Sequence, residues 1–159
     1  CEVMRAVRAA VPERIPTGMR ISQTKVNDLT YSWPGGVTDA EAVFPAIAQA
    51  GASYLVVSAH LGCDPVFGSG LCLAGLAKKF SGITVMANGK LHQAAKAEQV
   101  LANGEADFVA VAKGALADPA WPRKIAAGEP PIPFDPEMIA PLATIDNVAN
   151  WRRQRELAA

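Results

Sequence analysis

Four short apolar runs recur along the chain, and each is followed by a segment with helical spacing. The runs cover residues 17–22, 53–58, 83–87 and 107–112. Each run is continuous rather than alternating, which is typical of a strand covered on both faces in a parallel sheet. Strands that alternate with helices in this way predict an α/β fold with a parallel sheet.

The segment after the first run has the start and stop signals of a helix. Thr38 and Glu41 have the spacing of a capping box, in which two side chains bind free N–H groups at the helix start. Gly51 stands where such a helix ends. Pro45 lies between them and predicts either a kink or a later start, because proline lacks the N–H that a helix interior needs.

The chain opens at or inside a helix. Within residues 2–11, the apolar residues at helical spacing are Val3, Ala6, Val7 and Ala10. A chain that begins at or inside a helix is expected when the sequence is a segment of a longer protein.

The alternation of strand and helix stops near residue 128. Asp118 followed by Pro119 predicts the start of the last helix in the pattern, and Gly128 predicts its end. The remaining residues are rich in proline at first and can then form a terminal helix. We therefore interpret residues 1–128 as β/α units and residues 129–159 as a C-terminal tail.

Composition narrows the class of protein. The chain has 159 residues, of which 50% are hydrophobic and 19% charged, as expected of one globular domain with its own core. Its 15 basic and 15 acidic residues cancel, which argues against a nucleic-acid partner, and its apolar runs are too short to cross a membrane. Cys1, Cys63 and Cys72 lack metal-site spacing and are expected to be reduced thiols of a cytoplasmic protein.

Two turns are the candidates for chemistry. Residues 87–89 (Ala-Asn-Gly) and 112–114 (Ala-Lys-Gly) follow the third and fourth runs, and ligands of parallel α/β folds collect at the carboxyl ends of strands. Small residues let the backbone approach an anion, and Lys113 adds a positive charge. The residues alone leave two questions open. The turns are either half of a phosphate clamp or ordinary loops, and four β/α units form either half of an eight-stranded barrel or a small open sheet.

Longer stretches resemble the Old Yellow Enzyme family of NAD(P)H:flavin oxidoreductases. Residues 82–128, beginning GITVMANGKLHQAAK, resemble the last two units of that family, and PTGMRIS resembles its fifth strand. AGASYLVVSAH is similar to the sixth strand with its lead-in, and FDPEMIAPLA is similar to the C-terminal tail. The family fold is a (β/α)8 TIM barrel that binds FMN at its carboxyl mouth. The resemblance therefore implies the C-terminal half of a barrel, strands five to eight.

The resemblance also implies roles for individual residues. Arg20 would lie near the pyrimidine edge of the flavin, where negative charge develops on reduction. The backbone of Ala87, Asn88 and Gly89 would bind one side of the FMN phosphate, and the Ala112 N–H and Lys113 ammonium the other side. The family usually has two glycines or Gly-Asn at the first turn and Gly-Arg at the second. Lysine keeps the charge of that arginine but lacks its bidentate fork.

The activity implied by the resemblance is transfer of hydride from NAD(P)H through FMN to an electron-poor alkene, a small-molecule substrate. The family's carbonyl-binding His/Asn or His/His pair and its proton-donating tyrosine lie in the N-terminal half, and neither His60 nor His92 matches them. We therefore assign no catalytic residue and expect the isolated chain to be inactive. One branch of the family holds an iron–sulfur cluster on cysteines after the eighth strand. Because no cysteine follows Cys72, we predict no such cluster.

Two other functions remain open at this stage. One is a non-flavin TIM-barrel enzyme that binds a phosphorylated substrate. The other is a non-catalytic half-barrel that associates with the missing N-terminal half-barrel or with a second copy of itself. Neither involves nucleic acid or a membrane.

Overall fold

Strands and helices alternate along the chain, as the sequence predicts. The computed structural model describes residues 1–25 and 27–157, apart from the side chain of residue 156. It divides into two compact units, residues 1–111 and 112–159, and each is described by itself. The predicted division at residue 128 stays a prediction.

A parallel sheet organises the first unit. Its strands, in spatial order, are β1 (Gly18–Ser22), β2 (Tyr54–Ser58), β3 (Thr84–Asn88) and β4 (Phe108–Ala110). Every neighbouring pair is parallel, and the spatial order equals the chain order. Right-handed crossovers between sequential strands place all the connecting helices on the same face of the sheet. This is the arrangement of a barrel segment, whereas an open doubly wound sheet reverses its strand order and has helices on both faces.

Helices fill the intervals between the strands. The first unit contains α1 (Glu2–Ala10), α2 (Val37–Gln49), α3 (Leu73–Ser81) and α4 (Ala94–Ala102). The second unit contains α5 (Lys113–Ala117), α6 (Trp121–Ala126), a 3₁₀ turn (Pro136–Ile139) and α7 (Ile145–Leu157). The opening and terminal helices are therefore where the sequence predicts them. No helix in the described part of the chain is long and apolar enough to cross a membrane.

The core lies on one face of the sheet. Leu55 and Val85 are fully buried and belong to one cluster with Phe44 of α2, Leu76 of α3 and Val100 of α4. The residues between them on each strand point to the opposite face and, apart from the buried Ser58, are half-buried or exposed. The apolar runs are typical of strands covered on both faces, but the first unit covers one, as the half-barrel interpretation implies. In a barrel, strand residues of the second face pack in the barrel interior, and four strands cannot enclose one.

The start of α2 differs from the predicted capping box. The helix begins at Val37 with Gly36 as its N-cap, so Thr38 lies inside the first turn and makes no capping bond. The Asp39 carboxylate instead accepts a hydrogen bond of 2.8 Å from the Gly35 N–H. Gly36 has φ 55, a backbone conformation that favours glycine and places the helix start before the threonine. Pro45 lies within the helix, which continues to Gln49.

Asp118 does not start a helix directly, because its carboxylate binds groups farther along the chain. It accepts hydrogen bonds from the N–H groups of Ala120 (3.1 Å) and Ile132 (2.9 Å) and forms an ion pair of 2.7 Å with Lys124. The Lys124 hydrogen bond and then the Ile132 N–H lower the pKa of Asp118 below its ordinary value. The helix therefore begins only at Trp121, and Asp118 anchors the following loop.

The predicted apolar stripe of α1 is also wrong. Met4 is the buried residue of this helix, whereas Val3 is 74% exposed. Arg8 fixes the helix to the lead-in of β1, because its guanidinium donates to the carbonyl oxygens of Val11, Pro12 and Ile15 and to the Thr17 hydroxyl. This fourfold contact determines which side of α1 faces the core.

Glu105 connects the lead-in of β4 to the start of α3. Its carboxylate accepts a 2.8 Å hydrogen bond from the Cys72 N–H, at a helix start where no side chain of the helix itself caps. Burial would raise the pKa of Glu105, but hydrogen bonds from Cys72 and Asn103 lower it below its ordinary value. Burial, and then the bond to Glu105, raise the pKa of the Cys72 thiol to about 12. This thiol is therefore a packing group and no nucleophile.

The uncovered face generates a prediction about association. A parallel sheet with two free edges and an exposed apolar face associates with other polypeptide. We expect the chain, produced alone, to form oligomers or aggregates in light scattering. Phe108, which is 56% exposed on β4, is the matching test site, and Phe108→Asp should reduce association. Leu101→Asp on α4, where the leucine is 39% exposed, is the control and should not. A cooperatively folding monomer would contradict the half-barrel interpretation.

Candidate functional site

Small and polar residues end the uncovered face at the carboxyl edge of the sheet. The strand register aligns Ser22, Ser58, Asn88 and Ala110 in one row across all four strands. Parallel α/β folds bind their ligands at this edge. A row without bulky side chains leaves room for a ligand to lie against the strand ends.

Arg20 lies one row earlier and extends toward this edge. It is in register with Val56 of β2, yet its Nε donates a 2.9 Å hydrogen bond to the Ser58 hydroxyl in the last row. This is the one hydrogen bond of the Arg20 side chain within the described part of the chain, and no ion pair of Arg20 is found there. A guanidinium has five N–H donors, so the donors on Nη1 and Nη2 remain for a ligand.

The hydrogen bonding continues from Ser58 across the rest of the sheet. The Ser58 hydroxyl donates to Asn88 Oδ1 at 3.3 Å, and Asn88 Nδ2 donates to the Ala110 carbonyl oxygen at 3.1 Å. Ser58 is only 6% exposed, so its hydroxyl needs these partners. We refer to Arg20, Ser58, Asn88 and the Ala110 carbonyl as the Arg20 relay.

The turn after β3 packs closely against the turn after β2. The Ala59 N–H donates to the Asn88 carbonyl at 3.0 Å, and the Gly62 N–H donates to the Gly89 carbonyl at 2.8 Å. Gly89 has φ 138, and a Cβ on it would collide with the Ala59 carbonyl oxygen. Only glycine fits this position, because the backbone conformation and the close approach both exclude a side chain.

The predicted site residues of the first unit divide between the two faces of the sheet. Arg20 and Asn88 point to the uncovered face, and Gly89 follows at its carboxyl edge. The Ala87 side chain points the other way and is 1% exposed in the core. A role of Ala87 toward a ligand is thus limited to its backbone, as the sequence analysis proposed.

The remaining predicted residues begin the second unit. Ala112 precedes α5, and Lys113 is its first residue. Both are exposed, and the Lys113 ammonium lies 5.3 Å from the centre of the Phe134 ring, a cation–π contact that the sequence reasoning missed. The contact holds a side chain that would otherwise be free in solvent.

Two side chains of the Arg20 relay were not predicted from the sequence. Ser58 was included only as the last residue of an apolar run, and Asn88 only for its backbone. The sequence did contain a signal for both residues, since each is a polar residue at the end of an apolar run. Parallel pairing of the two neighbouring strands places such residues side by side. His60 is exposed beyond the end of β2. The residues that the structure describes include no cluster of three His, Cys, Asp or Glu able to hold a metal ion.

Comparison with known proteins gives matches across both units. Residues 73–141 match the family model "Dihydrouridine synthase (Dus)". The NADH oxidase of Thermoanaerobacter brockii is 33% identical over 138 residues, which are 80% of this chain and 20% of that protein. The structure of morphinone reductase is similar with a TM-score of 0.66 at 24% identity, over 85% of this chain and 35% of that one. The old yellow enzyme from Trypanosoma cruzi has a TM-score of 0.65 at 19% identity, over 84% and 33% of the two chains.

These similarities confirm the resemblance to flavin oxidoreductases of the Old Yellow Enzyme type and the half-barrel fold. The chain spans a fifth of the NADH oxidase and about a third of each related structure. Its relatives are oxidoreductases, so the chain comes from an enzyme family.

The Gly89 geometry generates a prediction about the turn. Gly104→Ala is the matched control, because Gly104 also has a positive φ (69) but no atom within 4 Å of a Cβ. We expect this control to lose about 1–2 kcal/mol of unfolding free energy, the cost of a left-handed alanine. Gly89→Ala should lose clearly more in urea denaturation, because its methyl group also displaces the Ala59 carbonyl. Equal losses would contradict the close packing of the two turns.

Proposed function

We propose that the protein containing this chain is an FMN-dependent oxidoreductase of the ene-reductase type. It passes hydride from NAD(P)H through FMN to an electron-poor alkene, and its location is cytoplasmic. The observation that carries the proposal is Arg20, an exposed cation on the uncovered face, without an ion pair among the described residues, near the carboxyl edge of a half-barrel. The similarity to an NADH oxidase and to morphinone reductase supports the reaction class.

The residues at the carboxyl edge fit FMN. The last row of the uncovered face contains only two serines, an asparagine and an alanine, which leaves space for a planar ring beside Arg20. When bound, FMN would supply the hydride-transfer chemistry. Arg20 would hold a fixed positive charge beside the ring edge that becomes more negative, and fixed charges stabilise such a change without reorganisation.

The separation of Arg20 from Gly89 is compatible with FMN. Arg20 is on β1 and Gly89 follows β3, two strands away. Neighbouring strands lie about 4.8 Å apart, so the two backbones are separated by roughly 10 Å. The Arg20 side chain covers part of this distance, because its Nε reaches Ser58 on β2, and a ligand with a ring at one end and a phosphate at the other can cover the rest.

The phosphate-binding part of the proposal involves both turns. The backbone of Ala87, Asn88 and Gly89 is proposed for one side of the phosphate, and the Ala112 N–H with the Lys113 ammonium for the other. The family match over residues 73–141 includes all five residues. Their individual roles remain proposals.

No residue of this chain is proposed to donate a proton or to bind the alkene carbonyl. Those groups, and therefore activity, are proposed to come from the N-terminal half-barrel, and the chain alone is expected to be inactive. The absence of an iron–sulfur cluster remains a prediction from the lack of cysteine after Cys72.

Spectroscopy and cofactor analysis of the full-length protein test the proposal. We expect a yellow protein that releases FMN on denaturation, is bleached anaerobically by NADH or NADPH, and regains its colour with an electron-poor alkene. A colourless protein that binds a sugar phosphate would favour the non-flavin enzyme. A colourless protein without ligand would favour the non-catalytic half-barrel.

Arg20→Ala should slow reduction of the flavin more than it weakens FMN binding, since the charge matters most once the ring becomes negative. Loss of a charge-assisted contact predicts a rate about ten- to a hundredfold lower in stopped-flow reduction. Arg20→Lys keeps the charge and should lie between wild type and alanine. Reduction of the Arg20→Ala enzyme at the wild-type rate would refute this role.

Lys113→Ala should weaken binding of FMN. An ammonium facing a phosphate contributes about 1.5–3 kcal/mol, or about one to two decades in Kd. Lys113→Arg keeps the charge and adds a bidentate fork, so it should bind FMN at least as tightly as wild type. Fluorescence titration of the apoprotein measures both, and an unchanged Kd for Lys113→Ala would remove this residue from the site.

A further inference from the structure

We propose that Ser58 is a positioning residue that orients the Arg20 guanidinium, and that Asn88 orients Ser58 in turn. This inference rests on the proposed function, in which Arg20 faces the flavin. Its own evidence is the Arg20 relay, three consecutive hydrogen bonds of 2.9, 3.3 and 3.1 Å from β1 to β4.

The first bond of the relay restrains the orientation of the guanidinium. Arg20 extends diagonally from its own row to the next, where its Nε meets the Ser58 hydroxyl. A guanidinium is rigid and planar, so fixing the direction of one N–H limits the directions of the other four. Nη1 and Nη2 have no hydrogen-bond acceptor in the described part of the chain, so among those residues Ser58 is the hydrogen-bond partner that restrains where they point.

The other two bonds determine the direction of the Ser58 hydroxyl. A hydroxyl has one donor and two acceptor sites, and it rotates to suit its partners. Asn88 Oδ1 accepts a hydrogen bond from the Ser58 hydroxyl, which leaves the lone pairs of the Ser58 oxygen to accept from Arg20. Asn88 is itself fixed because its Nδ2 donates to the Ala110 carbonyl, so its Oδ1 faces Ser58.

Every donor of the relay therefore points the same way, from β1 toward β4. The relay begins at a cation and ends at a backbone carbonyl, with no carboxylate or imidazole along it. Ser58 can thus orient Arg20 without neutralising its charge. Removing the Ser58 hydroxyl would keep the charge of Arg20 but leave its guanidinium free to rotate. A Ser58 variant therefore tests the orientation of Arg20 separately from its charge.

A double-mutant cycle on the full-length protein tests the proposal. Ser58→Ala should lower the rate of flavin reduction by NAD(P)H about two- to tenfold, the range for a lost neutral hydrogen bond. FMN content and Kd should stay close to wild type. In the Arg20→Ala background, Ser58→Ala should have no further effect, because Ser58 acts through Arg20.

Ser81→Ala is the matched control. Ser81 is the last residue of α3, and its hydroxyl accepts a hydrogen bond of 3.4 Å from the Ile83 N–H and takes no part in the relay. Its loss should leave the reduction rate unchanged in either background. Additive effects of Ser58→Ala and Arg20→Ala, or a wild-type rate in Ser58→Ala, would overturn the proposal. A protein that binds no flavin would overturn the proposed function instead, so the two failures are distinguishable.

Discussion

The first unit covers only one face of its parallel sheet, and the rest of its structure depends on this constraint. Sequential parallel strands with right-handed connections place their helices on a single side. Leu55, Val85 and their neighbours therefore form a complete core with the helices. The other face ends in Ser22, Ser58, Asn88 and Ala110, and it meets no helix of the first unit. In a closed barrel the same face is interior, which explains how one row of side chains can be both uncovered here and suited to a cofactor.

Successive side chains of each strand point to opposite faces of the sheet, so residues of the core and residues of the candidate site are neighbours in sequence. Ala87 and Asn88 are neighbours in sequence, yet Ala87 is buried among helices and Asn88 joins the Arg20 relay. Val57 and Ser58 divide in the same way. A one-residue shift in register would exchange these roles. The carboxylates of Glu105 and Asp107, which bind the N–H groups of Cys72 and Val85, help hold α3 and β3 in that register.

The sequence predicted the order of elements well and their environment less well. All four strands lie within the predicted apolar runs or one residue beyond them, because such runs are strong signals. The apolar runs alone did not indicate the uncovered face, because barrel strands are apolar on both sides whether or not the barrel is closed; the half-barrel interpretation implied it. The capping box at Thr38 failed because Gly36 allows an earlier helix start, and the helix start at Asp118 failed because its carboxylate binds Ile132 and Lys124. Arg20 was found through a resemblance, whereas its contact with Ser58, 38 residues away, depends on strand register and is not visible in any local pattern.

The absence of an acid beside Arg20 is the last consideration that bears on the ligand. The Arg20 side chain is exposed on the uncovered face, and it forms no ion pair with a carboxylate of the described residues. Within the described residues, the Arg20 side chain donates a hydrogen bond to the neutral Ser58 hydroxyl. That hydroxyl donates to the Asn88 amide oxygen, and the Asn88 amide nitrogen donates to a backbone carbonyl. The charge of Arg20 is thus left for an external group. A ligand that becomes negative during the reaction would benefit from that charge most in its reduced state, which is the differential stabilisation that catalysis requires.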